Sequence, residues 1–191
     1  MRFKKIYFLL IMTVLWACST QKNTGVRRAY HNMTAHYNVY FNGKESFKEG
    51  LKAIEENNED DYTQLLTVFP DSKEGSETVA QSQMDRAIEK GTKLIKVHSI
   101  RKKPENKREE QSVKYKKFLS QNEFNKWVDN AYLLIGKAHF HKHDYYMAQQ
   151  SFAYMFREFQ EGPELYEAQI WNARAAIELG DFAQAKILLE N

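Results

Sequence analysis

Residues 131–152 read AYLLIGKAHFHKHDYYMAQQSF, and the same pattern of residue classes returns before residue 191. A shift of 37 positions pairs Asp144 with Asp181, Tyr145 with Phe182, Ala148 with Ala185 and Phe152 with Leu189. A fixed period with residue classes in register is typical of helical repeats that stack side by side, because each unit buries its apolar face against the next. Residues 129–191 are therefore predicted to contain two copies of one helical hairpin.

Small residues stand where the helices of such a hairpin would cross. Gly136 and Ala138 lie on the predicted first helix, and Ala148 and Ala185 lie on the second helix of each copy. The second helix of the first copy carries an apolar face at steps of three and four residues, formed by Tyr145, Ala148, Phe152, Met155 and Phe159.

The tight turns of the two hairpins are predicted at residues 143–144 and 180–181. Gly180 can take the left-handed conformation that ends a helix, and Asp144 and Asp181 can each cap the helix that follows. The turns should then share one geometry at the 37-residue spacing.

The pattern resembles the tetratricopeptide repeat, which has a glycine at the position of Gly136, alanines at those of Ala148 and Ala185, and aromatics at those of Tyr145 and Phe182. The departures are His139 for an aromatic, Met155 for an alanine and Ala173 for the glycine in the second copy. The resemblance implies an all-α fold in which hairpins form an α-solenoid. Two unrelated amphipathic hairpins are the alternative.

A solenoid of this kind has a long concave surface that binds peptides or partner proteins. Side chains of the first helices are expected to face it. By repeat register, the candidates are Asn130, Leu133, Lys137 and Phe140.

The chain starts with a segment typical of bacterial lipoprotein export. Residues 1–17 combine a basic start with a short apolar run, which suits a signal peptide better than a membrane span. The run ends LWAC, which resembles a lipobox and implies cleavage before Cys18 and lipid attachment to it. Cys18 is the only cysteine, so it has no partner for an internal disulfide. Residues 18–29 would be a tether, and the absence of acidic residues directly after Cys18 favours the outer membrane, facing the periplasm.

Removal of the signal peptide changes the charge balance. The whole chain has 28 basic and 25 acidic residues, and three of the basic ones are Arg2, Lys4 and Lys5. The mature chain would therefore be neutral overall, which gives no global indication of nucleic-acid binding.

Residues 30–99 are predicted to form degenerate helical repeats. The periodicity suggests a hairpin over residues 30–56 with its turn at Asn42-Gly43, a short apolar helix over 62–69, and an amphipathic helix over 78–98. Residues 100–122 are basic and poor in apolar residues. They are interpreted as a solvated linker or exposed polar helix, or alternatively as a contact surface for an acidic partner or anionic lipid.

Little in the sequence points to catalysis or a cofactor. His139 and His143 could share one helical face, but the H-E-x-x-H arrangement and a third ligand nearby are missing, so no metal site is predicted. The chain contains neither a Gly-rich phosphate loop nor a G-x-S-x-G elbow. We expect no enzyme activity and no cofactor.

Three strings carry a closer resemblance: CSTQKNT at 18–24, AHYNVYFNGKESF at 35–47 and LLTVFP at 65–70. Together they resemble the lipoprotein family called SprE in gliding bacteria and PorW elsewhere, and the resemblance extends over nearly the whole chain. It implies a non-catalytic outer-membrane adaptor for type IX secretion and gliding motility, whose partners are ring, motor or translocon proteins. Members of that family are longer, so this chain is expected to be the N-terminal part of a longer protein.

A second hypothesis is a periplasmic repeat lipoprotein of outer-membrane protein assembly, or a peptide- or glycan-binding module built on the same repeats. A catalytic domain beyond Asn191 is a third. Deletion of the gene distinguishes the first two hypotheses. Loss of a secretion adaptor would reduce export of cargo, whereas loss of an assembly factor would deplete outer-membrane proteins in general.

Overall fold

The computed structural model describes residues 22–105, 112–159 and 161–190, and this part of the chain is all-helical, without strands. This confirms the predicted fold class at its coarse level. The predicted signal peptide and Cys18 lie outside the described residues. In the described ranges, every helix is too short or too polar to cross a membrane.

The helices follow one another with few long connections. They are α1 (Gly25–Thr34), a π-helical segment (Ala35–Tyr40), α2 (Phe41–Glu56), a 3-10 turn (Pro70–Ser72), α3 (Ser76–Val79), α4 (Gln81–His98), α5 (Val113–Ser120), α6 (Val128–His141), α7 (Tyr145–Glu158), α8 (Pro163–Glu178) and α9 (Phe182–Glu190).

Each long helix packs against the next one along the chain. α2 packs on α4, α4 on α6, α6 on α7, α7 on α8 and α8 on α9, and α6 also contacts α8 directly. The pairs α2/α4, α6/α7 and α8/α9 are thus three hairpins set side by side, an arrangement consistent with an α-helical repeat fold.

The first helix of the first hairpin is a continuous rod. The residues that join α1, the π segment and α2 keep right-handed helical geometry, so residues 25–56 extend over about 48 Å. Thr24 accepts a hydrogen bond from the Arg27 amide at 3.4 Å and starts this helix at Gly25. The predicted tether over 18–29 was therefore too long.

The predicted turn at Asn42-Gly43 was wrong. A Cβ on Gly43 would lie 3.0 Å from Lys90 Cβ and 3.1 Å from Leu134 Cδ2. Glycine is needed here because α2 approaches α4 and α6 closely, and the local Asn-Gly turn signal was overridden by tertiary packing. The predicted helix over 62–69 is also absent, since this stretch is irregular and largely exposed.

The predicted helix over 78–98 is confirmed in α4, although it breaks at Ala80, where the backbone leaves helical geometry (φ −102°, ψ 5°). The predicted linker over 100–122 contains a helix and a buried residue within its described part. Ser112 caps the exposed helix α5, and Ile100 is fully buried. Ile100 also holds residues 123–124 in place, because its amide donates to Glu123 Oε1 at 2.7 Å and its carbonyl accepts from Phe124 at 3.0 Å.

The two tight turns have the same hydrogen bonds at the predicted 37-residue spacing. The amide of Asp144 donates to the His139 carbonyl at 2.9 Å, and the amide of Asp181 donates to the Ala176 carbonyl at 2.8 Å. These bonds, which span five residues, are the signature of the Schellman ending of a helix. The backbone therefore repeats, not only the residue classes.

The residue before each aspartate is left-handed, with φ 59° at His143 and 77° at Gly180. Glycine adopts this conformation without steric cost, whereas His143 is held in it by a 2.8 Å contact from Nε2 to the Asp71 carbonyl. Asp181 caps the following helix through the Gln184 amide at 3.0 Å, as predicted. The predicted cap by Asp144 is wrong, because that carboxylate lies near Lys142 and His139 instead.

The small residues at the predicted crossing points are buried. Ala148 is fully buried and Ala185 is 4% exposed. A Cβ on Gly136 would lie only 2.4 Å from Cε1 of Phe152, a ring that is itself fully buried. The absence of a side chain at Gly136 is what lets α6 and α7 close around this ring.

Gly136→Ala should destabilise the protein by about 1–3 kcal/mol, because the added methyl group must displace a buried ring in a packed core. Urea unfolding followed by circular dichroism measures this. Gly25→Ala is the matched control: its Cβ would meet nothing closer than 3.8 Å, so the change should be neutral or slightly stabilising. Equal stability of Gly136→Ala and the wild type would contradict the proposed close approach.

Candidate protein-binding surface

A groove lies between the first helices of the three hairpins. It encloses about 410 Å³ and is lined by residues of α2, α6 and the start of α8. Three of the four candidates predicted from the repeat register, Asn130, Leu133 and Lys137, line it. Phe140 does not, because it is 2% exposed and its ring packs edge-on against Tyr145 and Trp171.

Side chains of α6 and α8 are already paired across the groove floor. Lys137 Nζ lies 2.7 Å from Glu167 Oε1, and Asn130 donates to Glu164 Oε1 at 2.9 Å. Lys44 and Lys48 line the opposite wall on α2, where both are exposed. The α2 wall thus presents cationic donors, and the α8 wall presents carboxylates held by α6.

Burial raises the pKa of Tyr40, which lines this groove, and of Asp129, which lies outside its lining. It raises the pKa of Tyr40 to about 12, with a further contribution from Glu167 and Glu164, so the phenol stays protonated and can donate a hydrogen bond. Burial also raises the pKa of the nearby Asp129 to about 6, with the Glu164 charge adding to the effect. The groove is chemically suited to holding polar groups of a partner.

A second cluster forms around Asp71, in the loop that joins α2 to α3. Asp71 Oδ2 lies 3.0 Å from Arg174 Nη2 and 3.2 Å from His141 Nδ1. Burial alone would raise the pKa of Asp71, but the nearby His141 imidazole and the Arg174 guanidinium outweigh it and hold that pKa below its usual range. Burial lowers the pKa of His141, so at neutral pH Arg174 supplies the charge that balances Asp71.

The Arg174 guanidinium is enclosed by aromatic rings. Its Cζ lies 4.3 Å from the ring centroid of Phe69, 4.5 Å from that of Trp171 and 4.7 Å from that of Phe140. The α2–α3 loop is therefore fastened to α8 of the third hairpin. Sequence reasoning missed this cluster because Asp71 and Arg174 are 103 residues apart.

Ser76, His143 and Glu77 are arranged like a nucleophile, base and acid, but the proton positions do not suit that role. Ser76 Oγ lies 3.3 Å from His143 Nε2, and His143 Nδ1 lies 3.3 Å from Glu77 Oε2. His143 Nε2 also lies 2.8 Å from the Asp71 carbonyl, which only accepts hydrogen bonds. That nitrogen therefore carries a proton and cannot take one from Ser76, so this cluster fixes the loop onto the turn.

His139 and His143 do not converge on a common point. α6 ends at His141, and the ring of His143 contacts Ser76 and Glu77 while His139 faces Asp144. Within residues 22–105, 112–159 and 161–190, no group of three or more His, Cys, Asp or Glu side chains could hold a metal ion. Cys18, the predicted lipid-attachment residue, lies outside those ranges.

Two histidines form a buried pair where α1, α4 and the start of α6 meet. The Nδ1 atoms of His31 and His98 are 2.9 Å apart, and Asn125 donates to the His98 carbonyl at 2.8 Å and to the His31 carbonyl at 3.4 Å. His31 Nε2 has no hydrogen-bond partner, which favours the tautomer with the His31 proton on Nδ1. Burial lowers the pKa of both imidazoles, with smaller contributions from neighbouring cations.

Comparison of the sequence with known protein-family models and with characterised proteins found no match. The functional assignment therefore rests on the geometry above and on the sequence strings described at the outset.

Acid should destabilise the fold below about pH 6.5, the usual pKa of histidine. His31, His98 and His141 each bind a proton more weakly when folded than when unfolded, so unfolding takes up protons and stability falls as the pH falls. The effect can reach about 1.4 kcal/mol per pH unit for each histidine. Asp129 acts in the opposite direction and offsets part of it, because its folded pKa is raised.

Urea midpoints measured between about pH 7.5 and pH 5.5 test this prediction. His98→Gln should reduce the pH dependence, because it removes one of the three histidines whose pKa burial lowers. A stability that is constant or rises on acidification over this range would contradict the assignment.

Proposed function

We propose that this protein is a non-catalytic lipoprotein adaptor of the type IX secretion and gliding machinery. Its hairpins form a tetratricopeptide-type solenoid, which a lipid on Cys18 anchors to the outer membrane on the periplasmic side. Its partners are ring, motor or translocon proteins, and it takes no cofactor.

The observation that carries the proposal is the groove between the first helices of the three hairpins. In a solenoid, the first helices line the concave face, and that face is where such proteins bind partners. Duplicated turns at one spacing support the repeat interpretation, because the hydrogen bonds of Asp144 and Asp181 recur in register.

The string that carries the closest family resemblance lies on the groove wall. Tyr40, Lys44 and Phe47 belong to AHYNVYFNGKESF, residues 35–47, and all three line the groove. Lys44 is exposed and makes no ion pair with any carboxylate in the described ranges, so packing does not explain its presence in this string. A binding surface would explain it.

The groups on the α2 wall indicate which chemical groups of a partner would bind there. Lys44 and Lys48 supply ammonium groups and Tyr40 supplies a phenol that remains protonated. Lys48 also contacts Glu45 at 2.7 Å, but that pair is exposed and weak, so a partner carboxylate can displace it. A segment of a partner protein that carries carboxylates or free carbonyl oxygens fits this wall.

The charge reversal Lys44→Glu with Lys48→Glu should reduce partner capture and cargo export by at least about tenfold, because attraction at the groove wall becomes repulsion. The variant is expressed in the context of the full gene, in a strain from which the gene was deleted. Secreted cargo in the medium and proteins captured from cell envelopes are then measured.

Lys52→Glu is the matched control, because it reverses a charge on the same helix at an exposed position outside the groove. Full export by the double variant would contradict the groove assignment. If gene deletion depletes outer-membrane proteins in general and not secreted cargo, the protein belongs instead to outer-membrane assembly.

A further inference from the structure

A group of lysines and arginines lies at one corner of the fold, where the start of α1, the segment after α4 and helix α5 meet. Asn23 donates to the Lys102 carbonyl at 2.7 Å, which joins the residues before α1 to those after α4. The Arg28 guanidinium lies 5.0 Å from the ring centroid of Phe118, which joins α1 to α5. The basic corner comprises Lys22, Arg28, Arg101, Lys102, Lys103, Lys114, Lys116, Lys117 and Lys126.

Charge in this fold is strongly polarised although the predicted mature chain is neutral. Within residues 22–30 and 99–128, the described part holds ten basic and two acidic residues. Within residues 57–77, which follow the far end of the continuous helix over 25–56, there are six acidic residues and one basic. About 48 Å of helix separates the two ends.

Much of the basic charge is not neutralised inside the protein. Arg101 pairs with Glu158 at 2.8 Å, and Lys117 pairs with Glu161. The other lysines on the segment after α4 and on α5 are exposed and form no ion pair with the carboxylates of the described residues; they are Lys102, Lys103, Lys114 and Lys116. They remain available to an external anion.

Apolar side chains accompany these lysines on the surface. Val26 is 80% exposed on α1, and Val113 is 85% exposed at the start of α5. Exposed apolar side chains among lysines are typical of surfaces that rest in the headgroup region of a bilayer, where the apolar groups enter and the cations meet phosphates.

The position of Cys18 supplies an independent argument, which rests on the proposed function. Lys22 lies four positions after Cys18, and a fully extended chain of that length spans at most about 14 Å. A lipid on Cys18 would keep the basic corner close to the headgroups, where attraction acts over a Debye length of about 8 Å. The acidic loop after α2 would be repelled and face away.

We propose that the basic corner docks on the anionic phospholipid surface of the membrane that holds the Cys18 lipid. With docking, the protein is attached to the membrane at two places, through the acyl chains and through the lysines. The two attachments together fix the direction in which the hairpins extend from the membrane surface. Lipid anchors that include a polybasic patch are far more stable than an acyl chain alone.

Lysine footprinting tests the proposal on the protein as the cell processes it. The purified protein is reconstituted into vesicles of phosphatidylcholine alone, or of phosphatidylcholine mixed with phosphatidylglycerol, and acetylated briefly. Mass spectrometry then gives the modification rate of each lysine. Lys102, Lys103, Lys114 and Lys116 should react several-fold more slowly on the anionic vesicles, and high salt should abolish the difference.

Lys44, Lys52 and Lys186 serve as internal controls because they lie on other helices, away from the basic corner, and should react at the same rate on both vesicles. Equal rates at the basic corner on neutral and anionic vesicles would overturn the proposal. Protection that requires an added envelope protein, and not anionic lipid, would also overturn it and assign the corner to an acidic protein partner.

The same spectra separate this proposal from the proposed anchor. The mass of the peptide that contains Cys18 shows whether lipid is attached, and Cys18→Ala should abolish that attachment. If Cys18 is unmodified, the lipoprotein assignment fails, yet protein added to preformed anionic vesicles should still show slower labelling at the basic corner. If Cys18 is lipidated and the corner reacts equally on both vesicles, only the docking proposal fails.

Discussion

The contact between Gly136 and the ring of Phe152 shows the constraint on which the packing of this protein depends. At this crossing the fully buried ring fits between the two helices because Gly136 presents bare backbone to it, since a Cβ there would come within 2.4 Å of the ring. The same relation connects one hairpin to the next, because a Cβ at Gly91 of α4 would lie 2.7 Å from Ile135 of α6. Helices held this closely have little freedom to slide or rotate, so the position of one hairpin fixes the position of its neighbour.

This constraint explains which parts of the fold could be predicted from sequence. The 37-residue spacing was visible because the residue classes recur locally, with an aspartate and then an aromatic residue after each turn. The burial of Ala148 and Ala185 follows from the same register. These features need no knowledge of distant contacts.

Other features depend on contacts that no local pattern reveals. Gly43 follows an asparagine, which is a turn signal in isolation, yet its neighbour in the structure is Leu134. Asp71 lies outside every helix predicted from the sequence, and its partner Arg174 belongs to a helix of the third hairpin. Phe140 was placed in the groove by repeat register, but its ring is buried against Arg174 and Trp171. In each case tertiary packing determined the outcome.

The groove was foreseen more accurately than the charge distribution. Three of the four residues expected from the register line it, because the faces of a repeat follow from helical periodicity. The polarisation of charge was not foreseen, since the basic stretch after α4 becomes a surface only when it meets the start of α1. The groove between first helices and the opposite charges at the two ends of the helix over 25–56 are the features on which the proposed adaptor role depends.

Zero-length carbodiimide cross-linking followed by mass spectrometry tests the side-by-side packing of the hairpins most directly, because it joins only ammonium and carboxylate groups already in contact. The account predicts a Lys137–Glu167 link between the second and third hairpins and a Lys142–Asp85 link between the first and second, across distances of 2.7 Å and 2.6 Å. The Lys48–Glu45 pair, which lies within one helix, reports that the reaction has worked. Recovery of that local link without either link between hairpins would contradict the packing described here.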